Sequence, residues 1–174
     1  MHRYIARIVT KDASSDNRIQ VGLESPGYIL TSSDGGQSWM IRAGPGSRWW
    51  TAVTLSSDGT YGVVMAKDSS IYTSSDFGNT FTRIDSTALN DEVRTQIQWT
   101  SLDSSSTGNF VVAASSPGYI YVSNNFGKTW YRKQGSGGRS WRSVECKYQN
   151  CKEIWATSDS SLCGSTDYGS TWKC

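Results

Sequence analysis

One turn-forming octapeptide occurs four times in this chain: SSDGGQSW at 32–39, SSDFGNTF at 74–81, SNNFGKTW at 123–130 and STDYGSTW at 165–172. Its third residue falls at Asp34, Asp76, Asn125 and Asp167, at intervals of 42, 49 and 42 residues. A period of that size is one supersecondary unit copied in series, and no single copy can bury its apolar face alone. The rest of the unit repeats with the turn. Five residues before the marker stand Ile29, Ile71, Ile120 and Leu162. Thirteen before it stand Val21, Val63, Val112 and Ile154, and eleven before it Leu23, Met65, Ala114 and Ala156. The last two sets are two residues apart and so share one face of a strand.

Each unit reads as four short antiparallel strands, in the second copy at 50–55, 61–66, 70–74 and 80–84. A twisted four-stranded sheet of this length is a propeller blade. The predicted fold is all-β: a β-propeller of four four-stranded antiparallel blades, one domain over residues 1–174, with blades near 1–43, 44–86, 87–134 and 135–174. Two closures are open, a compact four-bladed ring or an arc joined with another copy. Trp50, Trp99 and Trp141 open the first strand of three units, a recurrence that packing demands. In the first unit Ile8 holds that place. Its register is expected to need extra loop residues around 12–17, which puts the first strand at 4–10. The seven surplus residues between the second and third markers fall in 85–98, expected as a loop between blades.

The octapeptide explains itself chemically. An Asp at the start of a tight turn accepts backbone N–H groups that have no ladder partner. Gly36, Gly78, Gly127 and Gly169 supply the positive φ the turn requires. The Ser or Thr before the aromatic position (Ser38, Thr80, Thr129, Thr171) can bond back across the turn. The aromatic residue is expected to tuck beneath the hairpin toward the next blade. Asn125 keeps an acceptor but lacks the charge, so the third hairpin is expected to be weaker.

The pattern S-x-D-x-G-x-T-W resembles the Asp-box, or BNR, repeat. With four copies over nearly its whole length, the chain is similar to the Asp-box β-propellers of sialidases, sortilin-type receptors, xyloglucanases and photosystem II assembly factors. The run GSRWWTAVTLSSDG…SSIYTSSDFGNTF is most similar to Ser/Thr-rich multi-repeat proteins with such blades in series. The resemblance implies a structural role for Asp34, Asp76, Asn125 and Asp167, away from any active site. Sialidase-like chemistry would imply an arginine cluster and a Tyr–Glu nucleophile on a longer chain, and the sequence offers neither. Xyloglucanase-like chemistry would need two opposed carboxylates. Asp85, Asp91 and Glu92 are the candidates, and a solvated loop explains them better. His2 is the only histidine, so no Ser–His–Asp or Cys–His set can form. The expected protein is not an enzyme and carries no cofactor or metal.

Cys146, Cys151, Cys163 and Cys174 cluster at the end of the chain without a Cys-x-x-Cys pair, which favours two disulfides over zinc. The expected pairs are local, 146–151 and 163–174, riveting the last blade. The rival is that Cys174 bonds another copy. Disulfides point to an extracellular location, with a lumen or periplasm as the alternatives. The opening MHRYIARIVT lacks the apolar core of a leader, so the protein is either not secreted or has lost one. Net charge is +2 without a basic run, and no stretch of 18 apolar residues exists; neither nucleic-acid binding nor membrane insertion is expected.

If strands run A-B-C-D outward, the Asp boxes share one rim with the A–B hairpins. The B–C loops and the crossings between blades share the other. That second rim gathers Tyr28, Arg48, Trp49, Tyr119 and Arg139, whose rings, guanidinium groups and neighbouring hydroxyls suit a partner protein or a sugar. The leading expectation is a non-catalytic extracellular module, structural, self-assembling or protein-binding, with other copies or another protein as partner. A lectin-like glycan binder is the alternative, and a glycoside hydrolase comes third.

Overall fold

The computed structural model describes residues 7–84, 89–90 and 97–174. The antiparallel strands of each blade are adjacent in sequence, as hairpin connections require. Blade 1 is β1 (Thr10–Ala13), β2 (Gln20–Leu23), β3 (Ile29–Ser32) and β4 (Met40–Arg42). Blade 2 is β5 (Trp50–Leu55), β6 (Gly62–Ala66), β7 (Ile71–Ser74) and β8 (Thr82–Arg83). Blade 3 comprises β9 (Leu89–Asn90), β10 (Trp99–Ser104), β11 (Val111–Ser115), β12 (Ile120–Ser123) and β13 (Trp130–Lys133), with β9 at the edge next to β13. Blade 4 is β14 (Trp141–Lys147), β15 (Glu153–Ser158) and β16 (Leu162–Ser165). Among the described residues there is no α-helix, only a 3-10 turn at Gln134–Ser136. The fold is that of β-propeller blades.

Both faces of a middle blade are buried, so successive strand residues feed two different cores. Val63, Met65 and Ile71 of blade 2 meet Trp99, Val111, Ala113 and Tyr121 of blade 3. Val112, Ala114 and Ile120 on the other face of blade 3 meet Trp141, Val144 and Cys163 of blade 4. Val21, Leu23 and Ile29 of blade 1 meet Trp50 and Tyr72 of blade 2 in the same way. These three apolar seams join consecutive blades. Among the described residues none joins blade 4 back to blade 1, so the blades form an open arc rather than a closed four-bladed ring. Trp50, Trp99 and Trp141 lie wholly inside the seams, and each strand they open shifts register just after the indole.

The two rims sort as the strand order requires. The A–B tips interlock around the arc: Ser15 N–H donates to Ser57 O, Ser57 N–H to Ser106 O and Ser106 N–H to Gln149 O. Each Asp box touches the A–B turn of its own blade, as where Phe77 N–H donates to Thr60 O. Asp34 Oδ1 accepts the Ser38 N–H at 2.9 Å, and its Oδ2 the Ser38 hydroxyl at 2.5 Å. The first Ser of the box, whose role the motif alone does not reveal, is the centre of the turn. Ser32 Oγ donates to Asp34 Oδ1 at 2.7 Å and accepts the Gly36 N–H at 2.8 Å, and Ser74, Ser123 and Ser165 do the same. At Asn125 the outer bond reverses: Nδ2 donates to Thr129 Oγ1 at 2.9 Å, longer than the 2.6 Å bonds at Asp76 and Asp167.

Several expectations need correction. The first strand is Thr10–Ala13, not 4–10, of which residues 4–6 lie outside the described set. Residues 12–17 hold no extra loop: Ser14 and Asp16 form the same turn as Ser56 and Asp58, and Ile8 packs over Gly22 in the tryptophan's place. The aromatic residues of the box turn toward the preceding blade, not the next. Trp130 joins the seam with blade 2, and Trp172 the seam with blade 3. The insertion is not purely a loop, because Leu89–Asn90 pairs parallel with β13 and covers the outer edge of blade 3.

Blade 4 departs furthest. Its fourth strand is reduced to the bridge Gly164–Lys173, beside the Cys163–Cys174 disulfide. Its A–B hairpin, closed by Cys146–Cys151, takes one residue more than in blade 3, and its B–C loop one fewer. A one-residue slip turns a strand over. Ile154 pairs with Ser165 as Val111 pairs with Ser123, so Ile154 and Ala156 point back into the last seam. Trp155 and Leu162 take the outward places and are 36% and 57% exposed. The Trp155 ring lies across Gly164, its Nε1–H donating to Glu153.

Gly127 combines a φ of +77° with close approach: a Cβ there would sit 2.9 Å from the Val63 methyl of blade 2. Gly127→Ala is expected to cost about 3 kcal/mol in urea denaturation, from left-handed strain and overpacking together. Gly44→Ala, with nothing within 4 Å of the new methyl, should stay within about 0.5 kcal/mol.

The Asp boxes also predict an acid limb. The hydroxyl and N–H of Thr171, with Ser165, hold Asp167 down to about 2, and Ser38 and Ser32 hold Asp34 lower still. Burial opposes the shift at Asp76, but Thr80 and Ser74 outweigh it and the value is lowered. A depressed carboxyl stabilises fully above its unfolded value and loses that contribution as pH falls through the folded one. Stability should therefore fall from near pH 3.8 downward. Replacing Asp34, Asp76 and Asp167 by Asn, as at position 125, should flatten that limb in a pH series of thermal melts.

Candidate functional site

On the B–C rim, two of the crossings between blades are built alike. Gly27 of blade 1 exchanges both backbone bonds with Arg48, and Gly118 of blade 3 exchanges both with Arg139. Each arginine stands two residues before a buried indole, Trp50 or Trp141. Arg139 stands 91 residues after Arg48, and Tyr119 91 after Tyr28. The structural repeat on this rim is therefore a pair of blades. The loops alternate accordingly, SPGY in blades 1 and 3 and DSS in blades 2 and 4. The five residues expected to form one surface are thus divided: Tyr28, Arg48 and Trp49 at the first seam, Tyr119 and Arg139 at the third.

The first seam is filled. Arg48 pairs with Asp68, donates from Nε to Pro45 O at 3.0 Å, and lies 5.4 Å over the Tyr72 ring. Burial raises the Asp68 carboxyl, but Ser70 and Arg48 outweigh it, so it is held below its ordinary value and stays charged. Trp49 is 55% exposed, with the Lys67 ammonium 5.3 Å over its ring. Tyr28 is half-buried beside the Gly27 bridge. The middle seam is closed differently: Ser69 Oγ donates to Ile97 O, and Trp99 Nε1–H to Ser69 O.

The third seam is open. A cleft of about 660 Å³ runs between the SPGY loop of blade 3 and the DSS loop of blade 4, walled by Pro117, Tyr119, Arg139, Ser140, Ser158 and Asp159. It adjoins a smaller hollow beside Thr100 and Arg142. Arg139 reaches Ser136 O and Ser161 Oγ, each at 3.4 Å, and Arg142 is paired with Asp159. Tyr119 is half-buried, with the Arg132 guanidinium 4.9 Å over its ring. The cleft could not be read from sequence without aligning the blade pairs, since it arises where Ser140 replaces the Trp49 of the first seam and the slipped B strand of blade 4 leaves no lysine over it.

Asp85, Asp91 and Glu92 lie outside the described residues. Among the described residues the carboxyl pushed above its ordinary value is Asp103: burial raises it, Cys146 and Ser104 N–H groups oppose, and Asp12 and Glu145 add repulsion. Both its oxygens are engaged, Oδ2 by Cys146 N–H at 2.7 Å and Oδ1 by Ser104 N–H at 2.8 Å. Asp12 bonds Leu55 N–H and Ala13 N–H in the same manner. Asp103 thus stitches inner strands together, as Asp12 does one blade pair earlier. Among the described residues no cluster of His, Cys, Asp and Glu could hold a metal ion, and no helix is long and apolar enough to cross a membrane.

A family model described as BNR-Asp box repeat matches residues 71–84 and 120–134, the outer hairpins of blades 2 and 3. The chain carries BNR/Asp-box repeats on β-propeller blades. Comparison with curated proteins gives no match. Among solved structures the chain is similar to YCF48 bound to D1 peptide, at 17% identity and a TM-score of 0.69, over 95% of this chain and 54% of that one. It is similar to a GH74 xyloglucanase from Xanthomonas campestris, at 14% identity and a TM-score of 0.72, over 95% of this chain and 30% of that one. It is also similar to the RRP9 WD40 repeats, at 11% identity and a TM-score of 0.71, over 99% of this chain and 52% of that one. The chain spans about half the length of these structures, or less. At such identities the likeness is one of fold, shared by enzymes and non-enzymes. The two disulfides suggest a protein that works outside the cytosol.

The neighbouring indoles at the first seam should separate surface from scaffold. Trp50→Ala is expected to cost about 3–5 kcal/mol, because the ring is buried and donates to Gly27 O across the seam. Trp49→Ala should cost about 1 kcal/mol or less. Chemical denaturation of the two variants checks this.

Proposed function

We propose that this chain is a non-catalytic, extracellular propeller module that binds a protein segment along its B–C rim. The observation that carries this reading is the open third seam, a cleft of about 660 Å³ between two blades lined by arginine, tyrosine and serine side chains. The wall is built from loops held by paired backbone bonds, so the surface is preorganised and little ordering entropy opposes binding. The fold accommodates peptide ligands elsewhere, since one of its structural neighbours is YCF48 bound to D1 peptide. The raised carboxyl, Asp103, is consumed by backbone bonding, which supports a role without acid–base chemistry. Glycan binding would rest on Trp49 as a stacking platform, and Lys67 already covers that ring.

Titrating isotope-labelled protein with a panel of extended peptides tests the reading by chemical-shift mapping. Perturbations are expected around 117–119, 138–142 and 158–161. Shifts confined to the Asp-box rim, or hydrolysis of a xyloglucan oligosaccharide by the same preparation, would overturn it.

A further inference from the structure

We infer that the open third seam is a carboxylate-reading groove for an acidic, extended peptide, with Arg139 as the residue that recognises the charge. The inference rests on the protein-binding reading and specifies its ligand chemistry. It comes from comparing two seams that the chain builds from the same template.

Arg48 is held on every side. Asp68 neutralises it, Pro45 O accepts from its Nε, and the Tyr72 ring lies beneath its guanidinium. The Trp49–Lys67 pair adds bulk beside it at the mouth of the seam. Each of these restraints except the backbone carbonyl is altered at the third seam. Ser140 stands in the place of Trp49, which removes the indole, and the slipped B strand sets Ser158 opposite Trp141 where the first seam has Ala66 opposite Trp50, so no lysine covers the mouth. Cys163, bonded to Cys174, stands in the place of Tyr72. The carboxylate of blade 4's B–C loop, Asp159, pairs with Arg142, where the first seam has Thr51, and not with the bridging arginine as Asp68 does.

Arg139 is left with two long bonds, to Ser136 O and Ser161 Oγ, and no carboxylate is paired with it among the described residues. A guanidinium offers five donors in a fork that matches a carboxylate. Here the fork is half-buried beside the cleft and steadied by the Trp141 ring at 5.8 Å. Asp159, the carboxylate lining the groove, is taken up by Arg142, so the charge left facing the groove is that of Arg139. The Ser140, Ser158 and Ser160 hydroxyls along the wall suit the amides of an extended backbone. An acidic glycan would want an exposed ring to stack on. Trp141 is fully buried, and Arg132 occupies a face of Tyr119.

Fluorescence anisotropy with a labelled oligoglutamate peptide provides the test, with an oligoglutamine peptide of equal length as the neutral control and sialyllactose as competitor. The acidic peptide should bind in a salt-sensitive manner. Arg139→Gln should weaken it about tenfold or more, while Arg48→Gln leaves it unchanged. Ser140→Trp restores at the third seam the exposed indole that the fold already carries at Trp49, so it should fold normally and lose binding. Equal binding by wild type and Arg139→Gln, or tighter binding of sialyllactose than of peptide, would overturn the inference. If the neutral peptide binds as well and perturbs the same residues, the carboxylate assignment fails and the protein-binding reading stands. If neither peptide binds, both fall.

Discussion

Everything in this arc depends on the seam between consecutive blades. A strand whose alternate residues are all apolar cannot present one face to water, and β6, β11 and β12 bury both. Each seam is sealed by a ring that reaches back from the head of the next blade. Trp50 donates to Gly27 O and Trp99 to Ser69 O, so the same side chain fills the apolar gap and satisfies a loop carbonyl of its predecessor. The Asp-box aromatic closes the outer part of the seam, as Trp130 does 6.2 Å from Trp99. The Asp box itself is the hinge pin of this arrangement. It fixes the turn that aims the ring, which is why its oxygens are spent on local N–H and hydroxyl groups.

A seam that must be dry along its length leaves variation only at its ends. At the Asp-box end the A–B tips interlock, and the turn chemistry admits few residue types. The opposite end carries only loops, and there the four blades resolve into two pairs. The first member of each pair brings SPGY, and the second brings the arginine that bridges it. One copy of that junction is filled and the other is open, on the same backbone template. Replacing Trp49 by a serine at the equivalent place, Ser140, changes what the surface can receive while the indole beneath, Trp50 or Trp141, stays buried. Stability and recognition are thereby carried by neighbouring residues of one crossing, 49 and 50 or 140 and 141.

Much of this was legible in the chain because turn chemistry and strand periodicity are local. The octapeptide fixed the outer hairpins, their positive φ at Gly36, Gly78, Gly127 and Gly169, and the split between two rims. The buried tryptophans were legible from their recurrence. Features set by non-local packing were not. Which seam an aromatic residue enters depends on the twist of the blade rather than on its own neighbours, so the side that Trp130 takes is not written in the octapeptide. Ile8 resembled a register error only because an aliphatic chain fills the tryptophan's place. The role of Ser32, Ser74, Ser123 and Ser165 was hidden because a buried hydroxyl and an exposed one are written with the same letter. The third-seam cleft required the pair, not the blade, as the unit of comparison.

The last blade shows how little sequence is needed to change what a repeat can do. In a strand with period two, one extra residue in the A–B hairpin exchanges its faces, and one fewer in the next loop restores the following strand. Ile154 and Ala156 keep the last seam dry, whereas Trp155, Thr157 and Leu162 turn outward where blade 3 presents Val112, Ala114 and Ile120 to a neighbour. The outward face is not left as a raw docking surface. Trp155 lies flat over Gly164, and Glu145, Lys147 and Arg142 place charges around it. The two disulfides tie the slipped hairpin and the shortened last strand, the parts of blade 4 that gain least from packing. Repeat arrays need an atypical terminal unit because an ordinary one would expose an apolar face, and this slip supplies one by moving a single residue across a loop.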